Sequence, residues 1–256
     1  MAGSSVQSLP RPLDAVTASA WWPVRSDAWW CAGIPFAIIA GVLIIHAVSL
    51  EFYQAYVLPE GYGFLELTQF FLAASASVLC FQALGYQVVK DSRLLWLALV
   101  FFGLAAFYIA GEEHSWGQHF FNWNTPAYWA EINRQQETNL HNLSPWFNQR
   151  PKLLFDAAMF GGGLLVPIVQ LWTGPFRRPL LALLTPSLAI APAAAIAITF
   201  KLVDDLGKSS FTSEALFTRP SEVVETFQYL YMLFYVVMLR RRLAALDEAG
   251  VRKVSL

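Results

Sequence analysis

The sequence predicts an all-α polytopic membrane helical bundle of about six transmembrane helices plus a short interfacial helix, and three observations predict it. The 256 residues are 56% hydrophobic and only 14% charged, whereas a soluble domain carries roughly a quarter charged residues. Six apolar runs recur along the chain, each near the roughly 20 residues that a hydrocarbon core of about 30 Å demands. Lysine and arginine gather in alternate connections between those runs, the pattern that fixes orientation in multi-pass proteins.

Residues 1–28 come first. They are polar to mixed, Pro10, Pro12 and Pro23 interrupt any helix, and the basic-then-apolar order of a cleaved signal is missing. They read as a cytoplasmic N-terminal segment. Spans are then expected over residues 29–50, 63–89, 94–110, 153–172, 180–200 and 221–239. Together these make one transmembrane domain, residues 29–239, with residues 111–151 as a periplasmic loop that carries the interfacial helix. Residues 240–256 read as a cytoplasmic basic tail. Pro167 and Pro192 fall inside the fourth and fifth runs, where membranes tolerate kinks. The triplet Gly161-Gly162-Gly163 invites close helix approach. Cys31 and Cys80 lie in apolar stretches and read as small core residues.

Orientation follows from Lys90, Arg93, Arg177, Arg178 and the cluster Arg240-Arg241-Arg242, which sit in short near-membrane segments on one side. That side is cytoplasmic by the positive-inside rule, so both ends of the chain are expected inside, in a bacterial inner membrane. The four histidines map to the other side. So do Glu51, Glu60, Glu66, Glu112, Glu113, Glu131, Glu137, Asp156, Asp204, Asp205, Glu214, Glu222 and Glu225, out of eighteen carboxylates in all. The rule acts on Lys and Arg and does not push acids outward, so another cause placed them there.

The densest polar segment runs from Gly111 through Glu112, Glu113, His114, Ser115, Trp116 and Gln118 to His119, at the outer end of the third run. Glu137, Asn139, His141 and Asn142 follow about twenty residues later. Between them Asn122 to Pro126 reads as a turn and residues 127–140 as a helix at the interface, on which Glu137 and His141 would share a face. An acid one turn inside a span is costly and points to function, yet the same position at a helix start is stabilised by the helix dipole. Glu66, Asp156 and Glu222 meet both descriptions, and Glu225 lies one turn or so into its span. Glu112, Glu113, Glu137 and His141 are the candidate catalytic and metal-binding set, and Glu66, Glu222 and Glu225 complete the ligands. Carboxylates with one or two imidazoles suit Mg²⁺, Mn²⁺, Ca²⁺ or iron better than zinc. Trp116, Gln118, Asn139 and Asn142 are candidates for orienting substrate or supporting those ligands. Asp204-Asp205 beside Lys201 reads as a solvated loop, and His46 as an interhelical hydrogen-bonder.

The run Gly111-Glu112-Glu113-x-Ser115-Trp116-Gly117-Gln118, then Thr125-Pro126, then Asn133-x-Gln135-x-Glu137-x-Asn139-Leu140-His141-Asn142, resembles a family of bacterial multi-pass membrane proteins of unassigned function. Residues 59–68 resemble that family's acidic approach to its second helix. The likeness covers about residues 59–142, with an echo at 221–225. The family carries an aliphatic residue where His114 stands and a basic one where His119 stands, which lowers both histidines as ligands. Paired glutamates are also similar to those of glutamate intramembrane proteases, but no arginine follows Glu112-Glu113 nearby and no later span holds a histidine.

Two functions from different classes fit these residues. One is a metal-dependent enzyme acting on a membrane lipid or lipid-linked group at the periplasmic interface. The other is a non-catalytic subunit or scaffold of a larger membrane complex, holding a pigment, a quinone or a protein partner. The net charge of −1 argues against nucleic acid as a partner, which needs a basic stripe.

Overall fold

Six helices of the computed structural model are long and apolar enough to cross a membrane, and they form a polytopic all-α bundle. The structure describes residues 25–140, 142–174, 176, 178–209, 217–252 and 254. The expectations for residues 1–24 and for His141 lie outside them. The spans cover Trp29–Val48, Phe64–Ala83, Arg93–Glu113, Lys152–Thr173, Pro179–Gly207 and Pro220–Glu248.

Helix α1, Arg25–Val48, carries the first span. Helix α2, Phe64–Ala83, starts directly after Gly63. Helix α3, Arg93–Glu113, opens with the Ser92 hydroxyl accepting from the Leu95 amide at 3.4 Å, the usual way a serine satisfies a free helix N–H. Helix α4, Ala127–Ile132, is a short piece outside the spans. The fourth span is built from α5, Pro145–Ala158, a wide π-helical stretch at Met159–Leu165, and α6, Val166–Thr173. The fifth is broken into α7, Pro179–Leu184, and α8, Ala191–Ser209. The sixth is the single helix α9, Pro220–Glu248.

Helix α9 is the most buried span and the axis of the packing. Helix α2 lies between α3 and α9, while α8 packs along α9's other side and supports α1 and the π-helical stretch. One apolar core gathers Tyr53, Met159, Ile190, Phe227 and Phe234. A second, toward the other end, gathers Leu95, Leu183, Leu243 and Leu246. Cys31 and Cys80 are buried within the apolar cores, as small apolar fillers are.

Four local expectations change, the first being that Asp204 and Asp205, expected in a solvated loop, stand on helix α8. The interfacial helix ends at Ile132 rather than near residue 140, because Asn133 turns the chain. Its side-chain oxygen accepts from the Gln135 and Glu137 amides and its amide donates to Asn139, a turn that asparagine builds in competition with helix. Glu137 therefore sits on an irregular loop and on no helix face. The basic cluster at 240–242 is helical, since α9 runs on to Glu248. Arg242 is 6% exposed and donates to the Leu183 and Thr185 carbonyls at 2.8 and 2.6 Å. The fifth span breaks around Pro186 and not at Pro192, which falls in the first turn of α8, where proline costs a helix nothing. The glycine triplet does permit close approach: a Cβ on Gly163 would stand 2.6 Å from that of Ala194.

Candidate functional site

The antiparallel run of spans brings the start of α2, the end of α3, the start of the fourth span and the start of α9 to one end of the bundle. Adjacent residues on a helix diverge by about 100°, so Glu112 and Glu113 at the end of α3 face different surroundings. Glu112 turns toward the segment that follows: the Trp116 indole donates to one oxygen at 2.7 Å and the Leu140 amide to the other at 2.7 Å. Glu113 turns toward α9, where the Tyr229 hydroxyl donates to it at 2.8 Å.

Beyond α3 the backbone enters the left-handed region at Ser115, Trp116 and Gly117, with φ of 46°, 56° and 100°. That conformation costs roughly 1–2 kcal/mol for each non-glycine residue, and a dense set of hydrogen bonds offsets it. The buried Ser115 hydroxyl donates to Glu137 at 2.9 Å, lies 3.2 Å from the His119 ring and accepts from Asn139 at 3.0 Å. Asn139 also donates to Glu137 at 2.7 Å. Gln118 accepts from both the amide and the hydroxyl of Thr138 at 2.8 and 2.9 Å and donates to Thr125 at 2.7 Å. Residues 112–118 and 133–140 thus fold onto each other as one piece.

His119 joins that piece to the turn before α2. Its ring stands 3.2 Å from Glu137 and lies against Gly61, where any Cβ would strike it and where φ is +80°. Glu137's hydrogen bond and charge raise the His119 pKa above the ordinary histidine value, against burial, which lowers it. Burial pushes the Glu137 carboxyl up, but the hydrogen bonds from His119 and Ser115 outweigh it and hold the carboxyl below its usual range. The Gly61 amide donates to the Glu66 carboxylate. Arg219, itself left-handed at φ 50°, ties Leu58, Glu60 and Glu222 together at 3.2, 3.4 and 2.8 Å. Lys152 donates to Glu225 at 2.7 Å.

These groups enclose a cavity of about 140 Å³ lined by Glu60, Glu66, Glu112, Glu113, His119, Gln135, Glu137, Asn142, Lys152, Arg219, Ser221, Glu222 and Glu225. Six carboxylates singled out in the sequence, Glu66, Glu112, Glu113, Glu137, Glu222 and Glu225, therefore meet at one place with Asn142. Trp116, Gln118 and Asn139 stand behind the lining and brace it. His141 is outside the described residues, so no structural role attaches to it. Asp156 points elsewhere, accepting from Gln228 at 2.7 Å with Lys201 at 3.8 Å. His46 stacks on Phe217 at 4.2 Å and accepts from the Thr218 amide at 3.5 Å.

Sequence reasoning missed Lys152 and Arg219, discounted His119 and passed over Glu60, Gln135 and Ser221 as lining residues. A lysine in the first turn of an apolar span is the one signal that could have drawn attention earlier. Among the described residues no three of His, Cys, Asp and Glu already stand together as a metal-binding group. Compared with protein-family models, with curated proteins and with solved structures, the chain matches none.

Proposed function

We propose that this chain is a membrane-embedded enzyme that works on a lipid or lipid-linked group, with a divalent cation recruited by Glu66, Glu113, Glu222 and Glu225. The observation that carries the reading is charge. Glu60, Glu66, Glu112, Glu113, Glu137, Glu222 and Glu225 line one small cavity, while its fixed cations are Lys152 and Arg219, with His119 as a third when protonated. So many carboxylates at the end of a bundle repel one another strongly unless protons or a bound cation offset them. Glu113, with the Tyr229 hydroxyl on its oxygen, is the group placed to take or give a proton. Glu112 and Glu137 are not assigned to the cation, because both oxygens of each already have partners in the protein, whereas among the described residues Glu66, Glu113, Glu222 and Glu225 are each bonded through one oxygen. We read the acidic end as periplasmic, in a bacterial inner membrane with both chain ends cytoplasmic.

The test is Mn²⁺ binding followed by electron paramagnetic resonance on purified protein. The parent should hold Mn²⁺ stoichiometrically, E113Q and E225Q should each weaken it at least about tenfold, and E51Q, an exposed acid outside the cavity, should leave it unchanged. A parent with no Mn²⁺ site favours the second reading, a non-catalytic scaffold. That reading is supported by the saturated hydrogen bonds of Glu112, Gln118, Glu137 and Asn139, which build a rigid surface.

A further inference from the structure

We propose that residues 152–158, the first turns of the fourth span, are a hinged wall of the acidic cavity that swings toward the bilayer and admits a lipid headgroup sideways. The wall carries Lys152, which lines the cavity. From Lys152 to Ala158 no residue is buried, and Leu153, Leu154, Ala157 and Ala158 are exposed. Immediately afterwards the helix is fixed: Met159 is 1% exposed, and Gly163 sits too close to Ala194 for any side chain. The tight contact is a pivot, and the wall is the arm extending from it.

The anchor itself lies in a π-helical stretch, Met159–Leu165, which follows directly on the arm. Such wide turns are strained and recur where helices serve function. Gly161 lies within this stretch with nothing within 4 Å of where its Cβ would be. Polar clamps hold the arm on α9, and among the described residues neither apolar core takes a member from 152–158. Lys152 binds Glu225 at 2.7 Å, and Gln228 donates to Asp156 at 2.7 Å. The Phe155 ring adds an edge contact with Tyr229 at 5.8 Å between centroids. Segments with few buried apolar contacts open at low cost. A headgroup bearing a cation or an amine competes with the Lys152 ammonium for Glu225, so its arrival loosens the clamp that excludes it. That the cargo is a lipid headgroup rests on the function proposed above; the motion of the wall does not.

Hydrogen exchange of the full chain in nanodiscs of phosphatidylethanolamine and phosphatidylglycerol tests both parts. In K152M, which keeps the apolar stem and removes the ammonium, amides of residues 152–158 should exchange at least about tenfold faster, with α6 and α2 unchanged. Q228L, which removes the second clamp, should act in the same direction and decides the matter should K152M fail to fold. A phosphatidylethanolamine analogue carrying a photoreactive headgroup should label peptides lining the cavity more strongly in K152M than in the parent. Exchange that stays at the parent rate, or that rises throughout the bundle, overturns the wall. Faster local exchange without headgroup labelling overturns the sideways admission, and Mn²⁺ binding, measured separately, reports on the enzyme reading alone.

Discussion

His114 and His119 are five positions apart, and on a continuous helix they would face away from each other. The left-handed turn at Ser115–Gly117 instead brings their rings within 5.5 Å, which no spacing rule anticipates. Their environments then diverge. His114 is 2% exposed, stacked on Phe120 at 3.7 Å, and among the described residues neither ring nitrogen meets a side-chain partner. Burial, and then the neighbouring His119, push its pKa from 6.5 to about 4. A histidine depressed in the folded state leaves stability intact above pH 6.5, and stability is then lost as the pH falls toward about 4. That loss amounts to roughly 2–3 kcal/mol by about pH 4.5. H114L should therefore unfold at a higher temperature than the parent near pH 4.5 and at nearly the same temperature near pH 7.5. Equal acid sensitivity of the two proteins would remove the argument. The His119–Glu137 pair runs by the opposite logic for its imidazole. Glu137 contributes in full above its ordinary 4.5 and His119 in full below its ordinary 6.5, so the pair stabilises most between those values, and the imidazole's share is lost as the pH rises through its raised folded value. The sequence did mark Glu112, Glu113 and Glu137 as a set. It could not show that Glu112 and Glu137 are bound up in local hydrogen bonds, because that depends on the turn and not on the residue types.

In the fourth and fifth spans the irregularities were legible as residue types and illegible as geometry. Gly161, Gly162 and Gly163 look alike in sequence, yet a Cβ on Gly163 would stand 2.6 Å from that of Ala194 on α8 and one on Gly162 would stand 3.2 Å from Pro186 and Tyr231, while Gly161 faces open space. G163A should destabilise the purified protein by about 1–3 kcal/mol through overpacking, whereas G161A should be neutral or stabilising by up to about 1 kcal/mol. Thermal unfolding in one detergent compares them directly, and equal effects would deny the pivot its packing. The break in the fifth span had a visible cause in Pro186. Its repair was not visible, since the donors come from α9: Tyr235 gives its hydroxyl to the Leu184 carbonyl at 2.8 Å and Arg242 reaches Leu183 and Thr185. A buried arginine that satisfies carbonyls at a helix end has the sequence signature of a basic tail, which is why residues 240–248 read as one.

Across the bundle, the fold was readable because span length and apolar composition are one-dimensional properties. The expected spans and the helical ones coincide in number and in order. The acids clustered for the same reason: Glu66, Glu113, Glu222 and Glu225 all lie near span ends that alternation sends to one side. Their cations, Lys152 and Arg219, were obscured by the very rule that orients the chain. Reporter fusions after Ser92 and Thr173 should read cytoplasmic, and fusions after Tyr62 and Asn142 periplasmic. A cytoplasmic signal at Asn142 would place the cavity on the wrong face for the function proposed.

The bridge between the second and sixth spans has a consequence for how the protein is made. Gln69 of α2 donates to the Glu222 carbonyl and to Thr226 at 3.0 and 3.1 Å, and Arg219 reaches back to Leu58. Glu66, Glu112 and Glu113 leave the ribosome well before Lys152, Arg219 or any part of α9. During synthesis the early helices therefore carry acids whose neutralising cations do not yet exist, and the cavity is assembled only when the final helix threads in beside α2. A chain truncated before Arg219 keeps Lys152 but leaves those acids without Arg219 and without the Tyr229 hydroxyl. Such a fragment carries its own mark of incompleteness, legible to any protease or insertase that surveys the bilayer for unpaired polar groups.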